Sequence, residues 1–226
     1  MKKILLATAL SLCVSSAFAA ETAVLKVTGT LTNSACTPEL SNGGVVDYGK
    51  INMGTLSSSA ASQLGHKNID LTINCSAATK VSWNVVDDRA DSQAGIVVQD
   101  ALANGGSQSV PSQLFGLGKT AGNVKIGDYA MYVNVDSVTA DGKSVDAIFT
   151  ETGAGDTNWN EYVTGVVQGE NARDVTVATT GTTAPLAFQT ATFPLTTSLA
   201  IQDTTTLAIT DDTPLDGQLT ISLRYL

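Results

Sequence analysis

The sequence has 226 residues, of which 43% are hydrophobic, 5% aromatic and 15% charged, and its formal net charge is −9. This composition supports one globular domain and excludes a disordered or collagen-like chain. A chain this acidic lacks the basic surface that nucleic acids and anionic membranes require, so we expect neither as a partner.

The N-terminus has the three parts of a secretory signal peptide. Lys2 and Lys3 precede an apolar run over residues 4–14, and Ala17-Phe18-Ala19 supplies the small residues of a cleavage site. We expect cleavage after Ala19, which removes 19 of the 226 residues and leaves a mature chain of 207. The apolar run is too short, and comes too early, to be a stop-transfer helix.

Export determines which cysteines remain in the mature chain and whether they can form a disulfide. Cys13 lies in the signal peptide, so Cys36 and Cys75 are the two that remain. Two cysteines in an exported protein favour a disulfide, whose loop of about 40 residues would stabilise the fold by about 4 kcal/mol. A free reactive thiol or a metal site is the alternative, although His66 is the one histidine that could assist a metal.

The mature chain alternates apolar and polar residues in short runs rich in Val, Ile, Leu and Thr, without a sustained helical stripe. Such alternation predicts strands with one buried face, and we therefore predict an all-β sandwich. The runs in chain order are 23–32, 69–75, 81–85, 129–135, 145–149, 175–178, 188–201, 205–210 and 218–226. We expect a break at Pro194, because proline cannot donate to a ladder. Cys75, in phase with Leu71 and Ile73, is expected on the buried face.

Turn residues and polar stretches separate these runs. Asp141-Gly142, between a run ending near Val138 and one starting at Val145, predicts a two-residue β-hairpin loop. Residues 99–120 are poor in apolar residues, and residues 151–174 are acidic and irregular. We predict that both are surface loops or insertions within a single domain, because no linker composition or internal repeat marks a boundary.

Motifs for catalysis are missing from the sequence. We expect His66 in a turn at residues 65–68, and no serine lies in a G-x-S-x-G elbow. Gly116-Leu117-Gly118-Lys119-Thr120 misses the P-loop spacing, because Gln113 stands where its leading glycine belongs. Acidic clusters such as Asp87-Asp88 lack the spacing of a calcium loop. We therefore predict no enzymatic activity, no cofactor and no metal.

Both ends of the mature chain carry strand patterns that resemble a known family. The sequence resembles pilin subunits of the chaperone/usher pathway in Val27-Thr28-Gly29-Thr30-Leu31-Thr32-Asn33-Ser34-Ala35-Cys36, in Cys75 at the end of a strand, and in the penultimate Tyr225. An uncharacterised fimbrial-like branch of that family is similar in four further places. These are Ala35-Cys36-Thr37-Pro38, Gly44-Val45-Val46-Asp47-Tyr48-Gly49-Lys50, Phe115-Gly116-Leu117-Gly118 and Leu223-Arg224-Tyr225-Leu226.

The resemblance implies an immunoglobulin-like, pilin-type β-sandwich that lacks its last strand and is completed by a donor strand. It divides the chain into a signal peptide (1–19), a donor-strand extension (20–33) and a sandwich domain (34–226). The implied donor residues are Ala23, Leu25, Val27, Gly29 and Leu31, with Gly29 where the groove floor leaves no room for a side chain. The implied groove and chaperone contacts are Leu219, Ile221, Leu223, Tyr225 and Leu226, whose carboxylate would meet basic residues of the chaperone.

The implied partners are a periplasmic chaperone, an outer-membrane usher and other pilin subunits, and the implied location is a fimbria at the cell surface that contributes to adhesion.

Two features of the sequence depart from the pilin pattern. Thr213 stands where many pilins have a glycine about fourteen residues from the end, with Gly217 nearer the end, and the chain is longer than a usual shaft pilin. The alternative function is a self-complete periplasmic or secreted binding module. In that case Trp159, otherwise a packing residue, would mark its ligand surface.

Export and pairing of the cysteines lead to one measurable mass. Intact mass spectrometry of the protein purified from the periplasm should give the 207-residue chain, lighter by two hydrogen atoms than its reduced form. A mass that retains residues 1–19, or one that corresponds to two free thiols, contradicts the predicted compartment.

Overall fold

A computed structural model of the chain describes residues 26–29, 35–151 and 158–226. The chain divides into two units, Met1–Asn33 and Ser34–Leu226. In the first unit, residues 26–29 have no regular secondary structure. The second unit consists mainly of strands in two antiparallel sheets, which confirms the predicted all-β sandwich. Among the described residues, no helix is long and apolar enough to cross a membrane.

The first sheet has seven strands. Their bounds are β1 Cys36–Leu40, β2 Ser62–Thr79, β4 Phe115–Gly116, β5 Gly127–Val133, β6 Thr139–Ala140, β7 Lys143–Ser144 and β11 Phe188–Ile201. Five of them follow the order β1-β2-β11-β5-β4, and β6 pairs with both β11 and β7. The long strand β11 therefore has neighbours along both edges.

The second sheet has five strands. Their bounds are β3 Val81–Asp87, β8 Asp146–Glu151, β9 Asn160–Glu161, β10 Arg173–Ala178 and β12 Leu219–Tyr225, in the order β12-β3-β10-β8-β9. The helices are short: α1 spans Thr204–Leu207, and 3-10 turns span Ser41–Gly44, Met53–Thr55, Ala90–Ser92, Pro111–Gln113 and Val135–Ser137. Strand β12 is thus an edge strand, and within the described part of the chain it pairs only with β3.

The core lies between the two sheets, as the period-two patterns predict. Leu71 and Ile73 of β2, Trp83 of β3, and Phe193 and Leu195 of β11 are each at most 1% exposed. The rings of Trp83 and Phe193 meet edge to face with centroids 5.6 Å apart, so the two sheets interlock at this contact.

Two local predictions are confirmed. Cys36 and Cys75 form a disulfide and lie directly opposite each other in the pairing of β1 with β2. Asp141-Gly142 connects β6 to β7, and both residues have the positive φ, 49° and 73°, that a type I′ hairpin loop needs.

Strand β11 passes through Pro194 without a break, which corrects the predicted interruption. Pro194 lies opposite Asp70, whose N–H donates instead to Ser41 Oγ at 2.9 Å, so β2 and β11 make no ladder bond at this pair. On its other side Pro194 faces the interval between β5 and β6, where its carbonyl accepts the Asn134 N–H at 2.8 Å. The missing proline N–H therefore costs no ladder bond.

The strand predicted for residues 205–210 is wrong, because α1 occupies Thr204–Leu207. The Asp203 carboxylate caps this turn by accepting the Thr206 N–H at 2.9 Å, which lowers the pKa of Asp203. Ala208 then ends the helix in the left-handed conformation, with φ 46°. The β-branched threonines favoured a strand, but the cap and the burial of Leu207 decide the conformation.

His66 lies inside β2 rather than in a turn. Ser198 of β11 pairs with His66 while Ala200 pairs with Gln63, so β2 has one additional residue there. Gly65 adopts φ 73° at this β-bulge, a conformation that glycine accepts without strain. The turn-like composition of residues 65–68 therefore corresponds to a bulge.

Residues 99–120 are more buried than the predicted surface loop. Phe115 and Leu117 belong to the main core. A smaller apolar cluster covers the other face of the first sheet, and it consists of Val98, Ala101, Leu114, Ala130 and Ala200. The buried carboxylate of Asp128 holds the preceding segment by accepting the N–H groups of Ala94 at 2.9 Å and Ile96 at 2.8 Å. Within 151–174, Tyr162 and Val167 are also buried.

Candidate functional site

An apolar cavity of about 990 Å³ lies beside β12. Its floor consists of core side chains, namely Ile69, Leu117, Ile126, Tyr129, Met131, Leu195, Leu199 and Ile201. A second cavity of about 320 Å³ lies between β1 and β12 and shares four lining residues, Leu40, Gly44, Leu219 and Ile221, with the first. We call the two cavities together the groove.

Two loops form much of the groove wall. The first consists of residues 44–53, all of which line the larger cavity, and we call it the Tyr48 loop. The Tyr48 hydroxyl donates to the Thr197 carbonyl at 2.9 Å and lies 3.1 Å from Thr197 Oγ1. Burial raises the pKa of Tyr48, while the hydrogen bond to Thr197 opposes part of that rise. The second, residues 208–218, contributes Ile209 and Leu215.

Strand β12 presents an apolar face to the groove. Leu219, Ile221 and Leu223 are half-buried and pack against the main core, whereas Thr220 and Ser222 on the opposite face are exposed. Leu219 and Ile221 line the cavities directly. Three of the five residues predicted from the resemblance for this surface therefore lie together on one face.

The backbone of β12 is hydrogen-bonded on one side. Gln218 O accepts the Asp88 N–H at 3.0 Å, and the Leu226 N–H donates to Lys80 O at 3.1 Å. Alternate residues of an antiparallel strand bond to the same neighbour, so the even-numbered residues of β12 face β3. The odd-numbered residues direct their N–H and C=O groups to the open edge, where no described backbone group pairs with them.

An ion pair fixes β12 to its sheet. The Arg224 Nη1 lies 2.6 Å from Asp174 Oδ2 on β10, and Asn84 of β3 donates to Asp174 Oδ1 at 2.8 Å. Burial raises the pKa of Asp174, an effect that the bond from Asn84 partly opposes. The link spans three adjacent strands and was not predicted, because the three residues are far apart in the sequence.

Tyr225 joins the two edge strands. Its hydroxyl accepts the Cys36 N–H at 2.8 Å, next to the Cys36–Cys75 disulfide. Tyr225 is 52% exposed and lies outside the cavity lining. Leu226 is 42% exposed and also lies outside the lining. The β1 and β12 walls therefore meet at this end of the groove.

Most of the predicted donor residues have no described position. Ala23, Leu25 and Leu31 lie outside the described residues, whereas Val27 and Gly29 lie in the irregular segment 26–29. Trp159, the residue of the alternative binding surface, is half-buried just after residues 152–157, which lie outside the described residues.

Comparisons with known proteins relate the N-terminal half of the chain to a family model and most of the chain to two curated proteins. A family described as "Protein of unknown function (DUF1120)" matches residues 25–130, which include β1, the Tyr48 loop and β2 to β4. Uncharacterized protein YhcF of Escherichia coli (strain K12) is 33% identical over 229 aligned positions that cover 93% of each chain. The chain belongs to the DUF1120 family. Protein GltF of the same organism is 30% identical over 96% of this chain and 94% of its own length.

The contact between Tyr225 and Cys36 can be measured directly. Replacing Tyr225 by Phe removes the hydroxyl but keeps the ring, so we expect hydrogen exchange of the Cys36 amide to become about tenfold faster in NMR spectra. Ser222→Ala, on the opposite face of β12, serves as the control and should leave this amide unchanged. Equal exchange rates in Tyr225→Phe and the unmodified protein would contradict the contact.

Proposed function

We propose that the protein is a structural subunit of a fimbria, exported through the periplasm and assembled by donor-strand exchange. In this proposal a periplasmic chaperone first covers β12, and a strand from another subunit then replaces it at an outer-membrane usher. The protein would contribute to cell adhesion as a building block, without catalysis.

The observation that carries the proposal is the combination of an open backbone edge and an apolar cavity at β12. Leu219, Ile221 and Leu223 lie on the face of β12 that packs toward the core, and the N–H and C=O groups of the same residues point to the open edge. An extended segment can therefore bond to the backbone while its alternate side chains enter the cavity. This is the way in which β-strand addition combines affinity with side-chain selection.

Residues 20–33 have the pattern that such a cavity accepts. Ala23, Leu25, Val27 and Leu31 share one face of the predicted strand. Full burial of a Val or Leu side chain contributes about 1.5 to 3 kcal/mol, so these residues together with new ladder bonds can exceed the cost of ordering the segment. A preformed groove lowers that ordering cost, because only the incoming segment has to be fixed.

The first test adds the extension as a peptide. A protein that lacks residues 20–33 should be stabilised by a synthetic peptide of residues 20–33. Its melting temperature should rise by about 5 to 10 °C at a peptide concentration of about one hundred times Kd. Differential scanning calorimetry measures the shift.

The control for this test is the same peptide with Gly29→Leu, which should give little or no shift, because the added side chain would meet the floor of the groove. If the protein without its extension is already as stable as the mature chain and does not respond to the peptide, its sandwich is self-complete and the proposal fails.

The second test concerns chaperone capture. Leu223→Asp places a charge on the apolar face of β12, and we expect it to abolish co-purification with a co-expressed periplasmic chaperone and to lower periplasmic yield. Ser222→Asp adds the same charge to the exposed face and should retain the chaperone. Circular dichroism and retention of the disulfide establish whether Leu223→Asp folds. A folded Leu223→Asp variant that still binds the chaperone contradicts the assignment of this face.

A second candidate function is supported by the two loops. The Tyr48 loop and residues 208–218 cover the groove floor so well that its residues are at most 8% exposed. A sandwich covered in this way can be stable alone, as a periplasmic or secreted binding module would be. The melting temperature of the protein without its extension separates the two candidates.

A further inference from the structure

We propose that the Tyr48 loop is a hinged cover over the groove, and that the bond between Tyr48 and Thr197 holds it closed in the free protein. The loop packs on the apolar floor of the cavity, so anything that binds to this floor has to displace the loop first. The cover acts in the isolated protein and therefore goes beyond the proposed function.

The Tyr48 loop has few hydrogen bonds to the rest of the sandwich. Among the described residues, the hydrogen bonds of its backbone stay within the loop and its flanking turns, as where the Gly49 N–H donates to Asp47 Oδ1 at 2.7 Å. The Tyr48 hydroxyl is the one described group of the loop that bonds to a strand, at Thr197. A segment without ladder bonds can open locally while the remaining structure stays folded.

Fixed points lie on both sides of the Tyr48 loop. Before the loop, Ser41 Oγ accepts the Asp70 N–H at 2.9 Å, and after it Ser57 O accepts the Thr204 N–H at 2.9 Å. Between Ser41 and the loop, residues 42–44 have φ values of 53°, 63° and 80°. The second and third of them are glycines, which adopt many other backbone conformations without strain. Residues 42–44 can therefore act as the hinge.

The other loop of the groove wall, residues 208–218, has backbone bonds to neighbouring elements. The Asp216 N–H donates to Leu117 O at 3.0 Å, and Gln218 O accepts the Asp88 N–H at 3.0 Å. The Asp216 carboxylate also forms an ion pair with Arg89, at 2.9 Å from Nε. Of the two loops, the Tyr48 loop is therefore the one that a single bond retains.

The bond from Tyr48 reaches the floor of the cavity beside a methionine. Thr197 lines the cavity and lies opposite Met131 in the pairing of β11 with β5. Met131 is 3% exposed, while Ile51 and Met53 of the loop pack against the same core. When Tyr48 releases Thr197, the loop can move away from the floor, and solutes then reach Met131.

Oxidation of Met131 by hydrogen peroxide measures this opening, because the oxidant must reach the sulfur. The sequence has three methionines, of which Met1 lies in the predicted signal peptide. Met53→Leu replaces the methionine of the loop by a side chain of similar volume, which leaves Met131 as the single methionine of the mature chain. Intact mass spectrometry then follows the gain of one oxygen atom. Adding Tyr48→Phe, which removes the hydroxyl and keeps the ring, should raise the oxidation rate about fivefold.

The matched control is Tyr225→Phe in the same Met53→Leu protein. This change also removes a hydroxyl that bonds to the backbone, but Tyr225 lies outside the cavity lining. We therefore expect the oxidation rate of Met131 to stay within about twofold of the Met53→Leu protein. Equal acceleration in the two tyrosine variants would mean that a general loss of stability exposes Met131, which overturns the inference. An unchanged rate with Tyr48→Phe overturns it as well.

A second measurement needs no tyrosine variant and remains decisive if Tyr48→Phe does not fold. The oxidation rate of Met131 in the Met53→Leu protein is followed at urea concentrations below the unfolding transition. Opening of one loop exposes little surface, so the rate should rise with urea much less steeply than global unfolding requires. A slope equal to that of global unfolding contradicts the cover. Neither measurement involves an incoming strand, so failure of the cover leaves the proposed function standing.

Discussion

The backbone of β12 has hydrogen-bonding groups on two sides, and the described residues place a neighbouring strand on only one of them. Every N–H and C=O of an edge strand must find water, a side chain or another strand, and natural sheets therefore shorten or block their edges. In the described part of the chain, β4, β7 and β9 are only two residues long, and β1 contains Pro38. Strand β12 is the exception, since it is seven residues long and unblocked. The groove therefore has a long strand with unpaired backbone groups along one wall.

Several packing features depend on keeping β12 in position despite its open edge. Its seven residues pair in continuous register with β3, whose Trp83 reaches across the sandwich to Phe193. The Arg224–Asp174 ion pair adds a link to β10, and its buried carboxylate also accepts from Asn84, which compensates the cost of removing that charge from water. An edge strand held by such contacts presents its free groups in a fixed geometry, and a preformed edge reduces the entropy that binding must overcome.

Local periodicity in the sequence predicts a large part of the fold. The faces of β2, β3, β5 and β12, the disulfide and the Asp141-Gly142 hairpin all derive from alternation or from a single residue pair. Predictions fail where a local contact outside the pattern decides the conformation. Asp203 caps a helical turn that threonines would otherwise place in a strand, and Gly65 forms a bulge that resembles a turn. Pro194 remains in β11 because the neighbouring strands leave a gap at that point, which only the tertiary arrangement determines.

The candidate site also has some features that the sequence predicts and others that depend on distant contacts. The apolar face of Leu219, Ile221 and Leu223 can be predicted from alternation, because one strand carries all three residues. The Tyr48–Thr197 bond joins residues 149 positions apart, and the Tyr225–Cys36 bond joins residues 189 apart, so no local pattern contains either. Pro38 was visible in the sequence, but its effect depends on register. It removes a hydrogen-bond donor from the groove side of β1 only because it occupies a position of β1 whose backbone groups face away from β2.

Cys36 links β1 to two other strands, β2 and β12. It is the first residue of β1, close to the boundary at Asn33 between the two units of the chain. Through its disulfide it is joined covalently to Cys75 of β2, and through its N–H it is joined to Tyr225 of β12. Under the proposed function, a pull on the extension would reach the sandwich at the start of β1, where Ala35 bonds to Ser76 of β2 and Cys36 carries the disulfide. The disulfide carries that load to the 18-residue strand β2, whereas β1 alone has five residues of ladder to resist it. Under the proposed function, Cys36 would therefore anchor the extension covalently to β2, and its N–H, already bonded to Tyr225, would not be available to an incoming strand.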